Sequence, residues 1–219
     1  MNTPLQTHDE LTGALNKDAF EPQLEAALLE AARTQETLTL AVVDIDQFLS
    51  INENYGHQVG DQVLIQICLS LREGTPPNTL VFRYGGDEFS LLLPGMTREQ
   101  ALLTFEQIRL SLAEPGVYAQ QEFSISISAG IASYPIDGSA MDELQRKVYQ
   151  ALYRAKKEGR GQILLAYDEK MVPKTVHFTE TQLERLTMLA DDLSVTEARL
   201  LREALDDLIK KYTVNKIEA

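Results

Sequence analysis

The fold is decided around the stretch Arg83-Tyr84-Gly85-Gly86-Asp87-Glu88-Phe89, which lies between two apolar runs of strand length, Leu80–Phe82 and Ser90–Leu93. Two adjacent glycines between such runs predict a tight hairpin, because the favoured hairpin turns need positive φ at the bend. Asp87 and Glu88 lie side by side on this turn and repel each other unless a cation is close. Mg²⁺ prefers hard oxygen ligands and usually shares them with substrate phosphates. The stretch therefore indicates a magnesium site, and the alternative is an acidic turn solvated by water.

Composition places the chain among globular proteins, since 44% of its 219 residues are hydrophobic and 24% are charged. No apolar run approaches the ~20 residues that a membrane helix needs. The first residues lack the basic flank and apolar core of a signal peptide. We therefore expect a soluble, cytoplasmic protein with no membrane partner. The single cysteine, Cys68, falls in an apolar helical stripe and is expected to be buried.

The net charge of −13 bears on the class of partner. Affinity for nucleic acid comes mostly from neutralised phosphates, so this charge argues against a protein that coats DNA. A strongly acidic protein that handles a polyanion needs a metal ion or a few well-placed cations.

Hydrophobic spacing predicts the remaining elements of the first 170 residues. Apolar residues at helical spacing predict helices near 18–33, 63–71, 97–113 and 142–159. Strand patterns add 37–43, 123–132 and 162–167 to the hairpin. The order αβαββαβαβ predicts an α/β (α+β) fold with a central sheet flanked by helices. Asp44 follows a buried strand, where α/β folds place ligand groups, and is expected beside the Asp87–Glu88 turn.

Two cations, Lys156 and Arg160, lie four residues apart near the end of the last helix. Like charges at this spacing cost a few tenths of a kcal/mol, roughly. They either bind an anion or are solvated cations that complement the negative end of the helix.

Several separated motifs follow one another from about residue 9 to residue 167. They are Asp9-Glu10-Leu11-Thr12-Gly13 with Asn16-Lys17, then Asp44-Ile45-Asp46-x-Phe48 continuing through Ile51-Asn52, Tyr55-Gly56-His57 and Gly60-Asp61, then Gly85-Gly86-Asp87-Glu88-Phe89, then Ser126–Ala132, and finally Tyr153-x-Ala155-Lys156-x-x-Gly159-Arg160. In this order the motifs resemble those of one family, the GGDEF diguanylate cyclases, and the ordered set is far more specific than a five-residue match.

The resemblance implies a role for individual residues. Asp44 and Asp87 would hold Mg²⁺ (or Mn²⁺) with help from the Ile45 carbonyl, and Glu88 would assist the metal or the attacking hydroxyl. The implied substrate is GTP, whose guanine would be hydrogen-bonded by Asn52 and Asp61 in a pocket lined by Leu11. Its triphosphate would lie near the Phe48–Leu49 backbone, and Lys156 and Arg160 would hold the terminal phosphates.

The same resemblance implies that the 3′-hydroxyl of each GTP attacks the α-phosphate of the other. Two such sites must therefore face each other, and a single domain cannot complete the reaction.

Two positions depart from the family's pattern. Leu49 stands where the family usually has lysine, which removes one cation near the phosphates and predicts reduced turnover. Pro76-Pro77-Asn78-Thr79 stands where the inhibitory R-x-x-D motif is expected, so product feedback through that site is predicted to be absent.

Residues 171–219 are predicted to form a second domain after a first domain at 1–170. Lys174–Phe178 has the alternation of one short strand, and the capping boxes Thr179-x-x-Gln182 and Ser194-x-x-Glu197 mark two helix starts. One strand and two helices in ~40 residues cannot bury enough surface to be stable alone. Dimerisation is the obvious solution. From about 174 to 212 this pattern resembles the ribbon-helix-helix family.

These features predict a diguanylate cyclase that condenses two GTP into cyclic di-GMP and pyrophosphate and is dimerised by its C-terminal ribbon-helix-helix. The alternative is a DNA-binding transcriptional regulator that senses GTP or cyclic di-GMP, with weak or no cyclase activity. Thr175 and His177 would then face DNA, although a DNA reader is expected to offer Arg or Lys there. Leu49 favours the alternative, whereas the intact acidic and basic residues of the predicted site favour the enzyme.

Overall fold

The structure, a computed structural model, describes residues 7–167, 175–193, 195–198, 200–201, 204–205, 208 and 211. The chain divides into two compact units, Met1–Glu169 and Lys170–Ala219. Among the described residues of the first unit, the elements in chain order are β1 (Leu15–Asn16), α1 (Lys17–Thr34), β2 (Leu38–Ile45), α2 (Phe48–Tyr55), α3 (His57–Gly74), β3 (Leu80–Arg83), β4 (Glu88–Pro94), α4 (Arg98–Ala113), β5 (Gly116–Tyr118), β6 (Gln121–Phe123), β7 (Ile127–Tyr134), α5 (Met141–Lys157) and β8 (Ile163–Leu165).

Six of these strands form one mixed sheet in the order β1-β3-β4-β2-β7-β8. β2 lies in the interior of the sheet and pairs antiparallel with both β4 and β7, whereas β1 and β8 add parallel edges. All eight residues of β2 are buried. The predicted α/β class, a central sheet flanked by helices, is confirmed.

The sheet separates two apolar cores, because successive side chains of a strand point to opposite faces. Val43 belongs to the core beneath α3 and α4, and its neighbour Val42 belongs to the core beneath α1 and α5. Both faces of β2 are therefore covered, which explains its continuous apolar run. Cys68 of α3 is 1% exposed in the first core, which confirms that the thiol is buried.

The long strand predicted at 123–132 is divided in two. β6 ends at Phe123 and β7 begins at Ile127, and the Ile125 backbone N–H donates to the Leu112 carbonyl. β6 pairs with β5 in a separate hairpin. Alternation of apolar residues alone cannot show this break, because both pieces keep the same period.

α5 packs on β7 at an unusually close approach that depends on Gly130. A Cβ built at Gly130 would lie 2.1 Å from the carbonyl oxygen of Val148 and 2.5 Å from the amide nitrogen of Leu152. Both atoms are helix backbone, so they cannot move aside as a flexible side chain would. Gly130 therefore sets the distance of α5 from the sheet.

The second unit contains α6 (Glu180–Leu193) among its described residues. Thr179 caps this helix as predicted, since the Gln182 N–H donates to Thr179 Oγ1 and the Thr179 N–H donates to Gln182 Oε1. Ser194, the start of the second predicted capping box, lies outside the described residues.

The strand predicted at Lys174–Phe178 is not formed over 175–178, and Lys174 lies outside the described residues. A single strand has no ladder of hydrogen bonds without a partner strand, and none of the described residues pairs with 175–178. Apolar side chains of this unit are exposed, among them Val176, Phe178, Leu183, Met188, Leu189, Leu193, Leu201, Leu205 and Leu208. Across the described part of the chain, no helix has the length and apolar character needed to cross a membrane.

Replacing Gly130 with alanine should destabilise the chain, because the added methyl group meets helix backbone. We expect the free energy of unfolding to fall by ~2 kcal/mol or more, at the upper end of overpacking effects. The measurement is the midpoint of urea unfolding followed by circular dichroism. Gly138→Ala is the matched control, since its Cβ would meet only the Glu143 side chain. Equal midpoints for the two variants would contradict the close approach.

Candidate active site

Three carboxylates meet at the end of β2. The register of β2 against β4 sets Asp44 directly opposite Glu88. Asp87 precedes β4, and its carbonyl accepts a hydrogen bond of 3.2 Å from the Ile45 N–H. Asp44 is 7% exposed, and Asp87 and Glu88 are half-buried. The structure thus brings together the four residues that the sequence predicted for the metal and the chemistry.

Lys156, in the last turn of α5, pairs with Asp44. The distance from Lys156 Nζ to Asp44 Oδ2 is 2.6 Å. Burial nevertheless raises the pKa of Asp44 more than Lys156 lowers it, and the neighbouring carboxylates of Asp87 and Asp46 raise this pKa further. Burial, more than the neighbouring charges, therefore makes the ionised form of Asp44 costly, and one lysine does not offset that cost.

Glu88 has a partner on the same helix. The Tyr149 hydroxyl donates a hydrogen bond of 2.6 Å to Glu88 Oε1. Burial raises the pKa of Glu88, the bond from Tyr149 lowers it, and the charge of Asp44 raises it again, with a net rise. The pKa of Tyr149 is raised mainly by burial and then by its bond to Glu88, so the tyrosine remains a hydrogen-bond donor. Sequence reasoning missed Tyr149; its spacing of seven residues from Lys156 was the available signal.

Arg160 lies on a tight turn just after α5. Its φ is +64°, and the flanking Gly159 and Gly161 have φ of +124° and +60°. A non-glycine residue in this left-handed region is uncommon and needs support from its surroundings. The Arg160 N–H donates to the Ala155 carbonyl at 3.0 Å, which begins that support.

Asp46 supplies the rest of the support for the Arg160 turn. Its Oδ2 accepts hydrogen bonds from the Ser126 hydroxyl at 2.6 Å and the Gly161 N–H at 2.9 Å, and its Oδ1 accepts one from the Ser128 hydroxyl at 2.7 Å. Asp46 is buried and joins β2, β7 and the Arg160 turn. The sequence showed Asp46 beside Asp44 but gave it no role.

The start of α2 lies beside this turn. Gln47 precedes the helix at φ +57° and makes no side-chain cap hydrogen bond, so the first N–H groups of α2, beginning at Phe48 and Leu49, have no side-chain cap. Leu49 is 70% exposed, and Phe48 packs against the core. A groove of about 400 Å³ runs from Arg160 past Gln47, Ser50 and Asn54 to Phe123. Uncapped helix N–H groups next to a cation suit an anion.

Asn52 of α2 lies against α3 at Gly60, the residue before Asp61. A Cβ at Gly60 would lie 2.0 Å from the Asn52 Oδ1 atom, so the carboxamide occupies the space that any side chain would fill. Asp61 follows Gly60 on α3 and is exposed. Leu11 lies on the N-terminal segment, half-buried against the core beneath α3 and α4.

Arg83 ties the Gly85–Gly86 turn to the N-terminal segment. Its Nη2 donates to the Gly86 carbonyl at 2.7 Å, and its Nη1 lies 3.1 Å from Asp9 Oδ2. Asp9 also accepts bonds from the Thr12 N–H and hydroxyl. Burial opposes ionisation of Asp9, but the bonds from Thr12 and Arg83 outweigh it and hold the pKa of Asp9 below its ordinary value.

Asp44, Asp87 and the Ile45 carbonyl are the residues that could hold a metal ion. Among the described residues, no group of three or more His, Cys, Asp or Glu side chains is arranged to hold one. Mg²⁺, however, commonly takes one or two carboxylates and completes its shell with water and substrate phosphates. The like charges around buried Asp44 are those that a divalent cation relieves. The donor set therefore fits Mg²⁺ or Mn²⁺.

The predicted DNA-facing residues, Thr175 and His177, are exposed in a segment without regular secondary structure. They lie in the second unit, apart in sequence from every other predicted site residue.

Two family models match the chain. One, described as "Diguanylate cyclase, GGDEF domain", matches residues 6–162, and the other, "Ribbon-helix-helix domain", matches residues 170–213.

Curated relatives match the first of these regions. The diguanylate cyclase DgcM of Escherichia coli is 38% identical over 159 residues, which are 73% of this chain and 38% of that protein. The diguanylate cyclase TpbB of Pseudomonas aeruginosa is 36% identical over 161 residues, 73% of this chain and 37% of that protein. The chain thus spans well under half the length of these two relatives.

Solved structures share the fold. A fragment of Pseudomonas aeruginosa TpbB comprising only the GGDEF domain has a TM-score of 0.70 and 36% identity, covering 73% of this chain and 94% of that one. The GGDEF domain of DgcB from Caulobacter crescentus, in complex with c-di-GMP, has a TM-score of 0.69 and 30% identity, covering 77% of this chain and 97% of that one.

Replacing Glu88 with glutamine should stabilise the metal-free chain at pH 7. The folded-state pKa of Glu88 lies above its ordinary value of 4.5, so its ionised form costs stability at neutral pH. That cost disappears as the pH falls through the folded-state pKa, because the carboxyl becomes protonated. We therefore expect the gain from Glu88→Gln, which still accepts the bond from Tyr149, to shrink towards pH 4.5.

The measurement is urea unfolding with EDTA present at both pH values. Glu122→Gln, at an exposed position of β6, is the matched control and should change little. A loss of stability in Glu88→Gln at pH 7 would contradict the expectation.

Proposed function

Because the chain belongs to the diguanylate cyclase GGDEF-domain family over residues 6–162, we propose that it condenses two GTP molecules into cyclic di-GMP and releases pyrophosphate. The observation that carries the proposal is the pairing of Asp44 opposite Glu88, with Asp87 beside them and Lys156 in contact. Acidic groups that need a metal, placed next to cations that suit phosphates, are the parts that nucleotidyl transfer uses.

The substrate would lie between the start of α2 and the end of α5. Asn52 and Asp61 would hydrogen-bond guanine, and Leu11 would line the pocket of the base. The uncapped backbone at Phe48 and Leu49 would receive the triphosphate, and Lys156 and Arg160 would hold its terminal phosphates. Arg160 is supported for this role by the bonds through which Asp46 holds its turn.

Asp44, Asp87 and the Ile45 carbonyl would hold Mg²⁺ (or Mn²⁺). When bound, the ion would neutralise charge that develops at the α-phosphorus. Glu88 would accept the proton of the attacking 3′-hydroxyl as its oxygen bonds to the α-phosphorus. The bond from that phosphorus to the pyrophosphate oxygen breaks, and Lys156 and Arg160 stabilise the leaving group.

Lys156 would change partner during this cycle. Without substrate, Lys156 Nζ lies 2.6 Å from Asp44 Oδ2 and neutralises this carboxylate, and 36% of the Lys156 side chain is exposed to solvent. A partly exposed ammonium on a flexible stem can move to a phosphate oxygen when the triphosphate binds.

Two active sites must face each other, because each GTP supplies the hydroxyl that attacks the other. We assign residues 1–170 as the catalytic domain and 171–219 as a ribbon-helix-helix-like domain that makes the homodimer. The exposed apolar side chains of the second unit and the family match at 170–213 support this assignment. The proposed substrate is a cytoplasmic nucleotide, and we place the reaction in the cytoplasm. Pro76–Thr79 lacks the R-x-x-D pattern, so we propose that product feedback through that site is absent.

A second candidate function rests on the ribbon-helix-helix match alone. In it the chain is a DNA-binding regulator that senses GTP or cyclic di-GMP, with Thr175 and His177 facing the bases. The phosphate contacts that dominate DNA affinity call for Lys and Arg, and neither Thr175 nor His177 supplies that charge. We therefore favour the enzyme.

Purified full-length protein incubated with GTP and Mg²⁺ should yield cyclic di-GMP and pyrophosphate, identified by mass. EDTA should abolish the product, because the carboxylates then lack the ion that neutralises phosphate charge. Glu88→Ala is the control and should lower turnover by at least ~100-fold, as expected for a lost general base. A folded dimer that forms no product but binds duplex DNA in a salt-dependent manner would refute the enzyme and support the regulator.

A chain without residues 174–219 should be inactive at low protein concentration, since its two sites then meet only by collision. It should regain part of its activity at high concentration, where collisions are frequent. The readout is specific activity across a dilution series, with sedimentation to report the oligomeric state. Val176→Asp should act similarly, because we expect this exposed side chain to enter the dimer core. Thr175→Asp is its matched control. Full activity of the deletion variant at low concentration would refute the role of the tail.

A further inference from the structure

We propose that Tyr149 is a positioning residue for the condensation, holding one carboxylate oxygen of Glu88 so that only the other is free for the reacting groups. The inference rests on the proposed function and adds a residue to it. The contact is direct, since the Tyr149 hydroxyl lies 2.6 Å from Glu88 Oε1. A carboxylate with one oxygen held has few orientations left, and a general base works only when its free oxygen is in reach of the proton.

The hydroxyl is itself held in place by packing. Tyr149 is half-buried, and its ring packs against the core beneath α1 and α5. α5 in turn is held against β7 at the close approach of Gly130. The donor therefore belongs to a rigid part of the fold rather than to a loop.

The same helix contacts both members of the cross-strand pair. Tyr149 and Lys156 are seven residues apart, which is two turns, so they lie on one face of α5. Tyr149 meets Glu88, and Lys156 meets Asp44, directly opposite on the neighbouring strand. The two contacts differ in kind, because the lysine is a charge that phosphates can attract away, whereas the tyrosine is a neutral donor. Glu88 thus stays oriented while Lys156 exchanges partners.

The bland alternative is that Tyr149 serves only as an apolar ring in the core. A phenylalanine would then do equally well, since it keeps the ring and its packing and loses only the hydroxyl. Tyr149→Phe therefore separates the two roles. Tyr153→Phe is the matched control, because Tyr153 lies one turn along the same helix with 65% of its surface exposed.

The experiment measures kcat and KM for GTP with the full-length homodimer and Mg²⁺. We expect Tyr149→Phe to lower kcat by about tenfold, as for loss of a hydrogen bond to a charged group, while KM changes by less than about twofold. Tyr153→Phe should match the parent chain. A fall in KM and kcat together, or a Tyr149→Phe variant that matches Tyr153→Phe, would overturn the inference.

A second pair of variants tests whether Tyr149 acts through Glu88. Glu88→Asp keeps a carboxylate but shortens it, so that it no longer reaches Tyr149. In that background Tyr149→Phe should cause no further fall in kcat, and a further tenfold fall would overturn the inference. Urea unfolding checks that each variant is folded. An inactive parent chain would instead overturn the proposed function and this inference with it, so the two failures are distinguishable.

Discussion

The antiparallel pairing of β2 with β4 is the constraint on which the candidate site depends. It sets Asp44 opposite Glu88, and a shift of one residue would turn every side chain of β2 to the other face of the sheet. Because both faces of β2 are packed against apolar cores, such a shift would move each side chain into the core that fits its neighbour and disrupt the packing on both sides. The register that serves the chemistry is therefore held by hydrophobic burial. The same burial raises the pKa of Asp44 and Glu88, so their ionised forms lower the stability of the fold that positions them.

The groups that face these carboxylates come from α5 and the turn after it. Tyr149 and Lys156 lie on one face of the helix, and Arg160 follows on a left-handed turn held by Asp46. Their distance from the sheet is set by the contact of the α5 backbone with Gly130, where no side chain intervenes. Acidic groups from the sheet and their partners from one helix thus form a single unit. A small movement of α5 would alter all of these contacts at once.

Most of the fold could be predicted from the sequence, because the helical and strand periods are local signals. The β3–β4 hairpin forms as predicted, although Gly85 and Gly86 do not have the positive φ that was expected at its bend. The grouping of Asp44 with Asp87 and Glu88 followed from the predicted order of elements, and Ile45 was added by the family resemblance; the structure brings the four together. What sequence reasoning missed depends on non-local contacts. Asp46 and Tyr149 gain their partners only when β7 and α5 pack on β2 and β4. The break before Ile127 keeps the strand period, and the predicted tail strand has no partner strand among the residues that the structure describes.

The burial of Cys68 has a practical consequence for spectroscopy. It is the sole cysteine of the chain, it is 1% exposed, and burial raises the pKa of its thiol, so little of the reactive thiolate forms. The native sequence is thus already a suitable background for thiol-directed probes. A cysteine introduced at an exposed position, such as Leu49 at the start of α2, would take a spin label or fluorophore selectively. One labelled position on each of two copies would then report the distance between their candidate active sites.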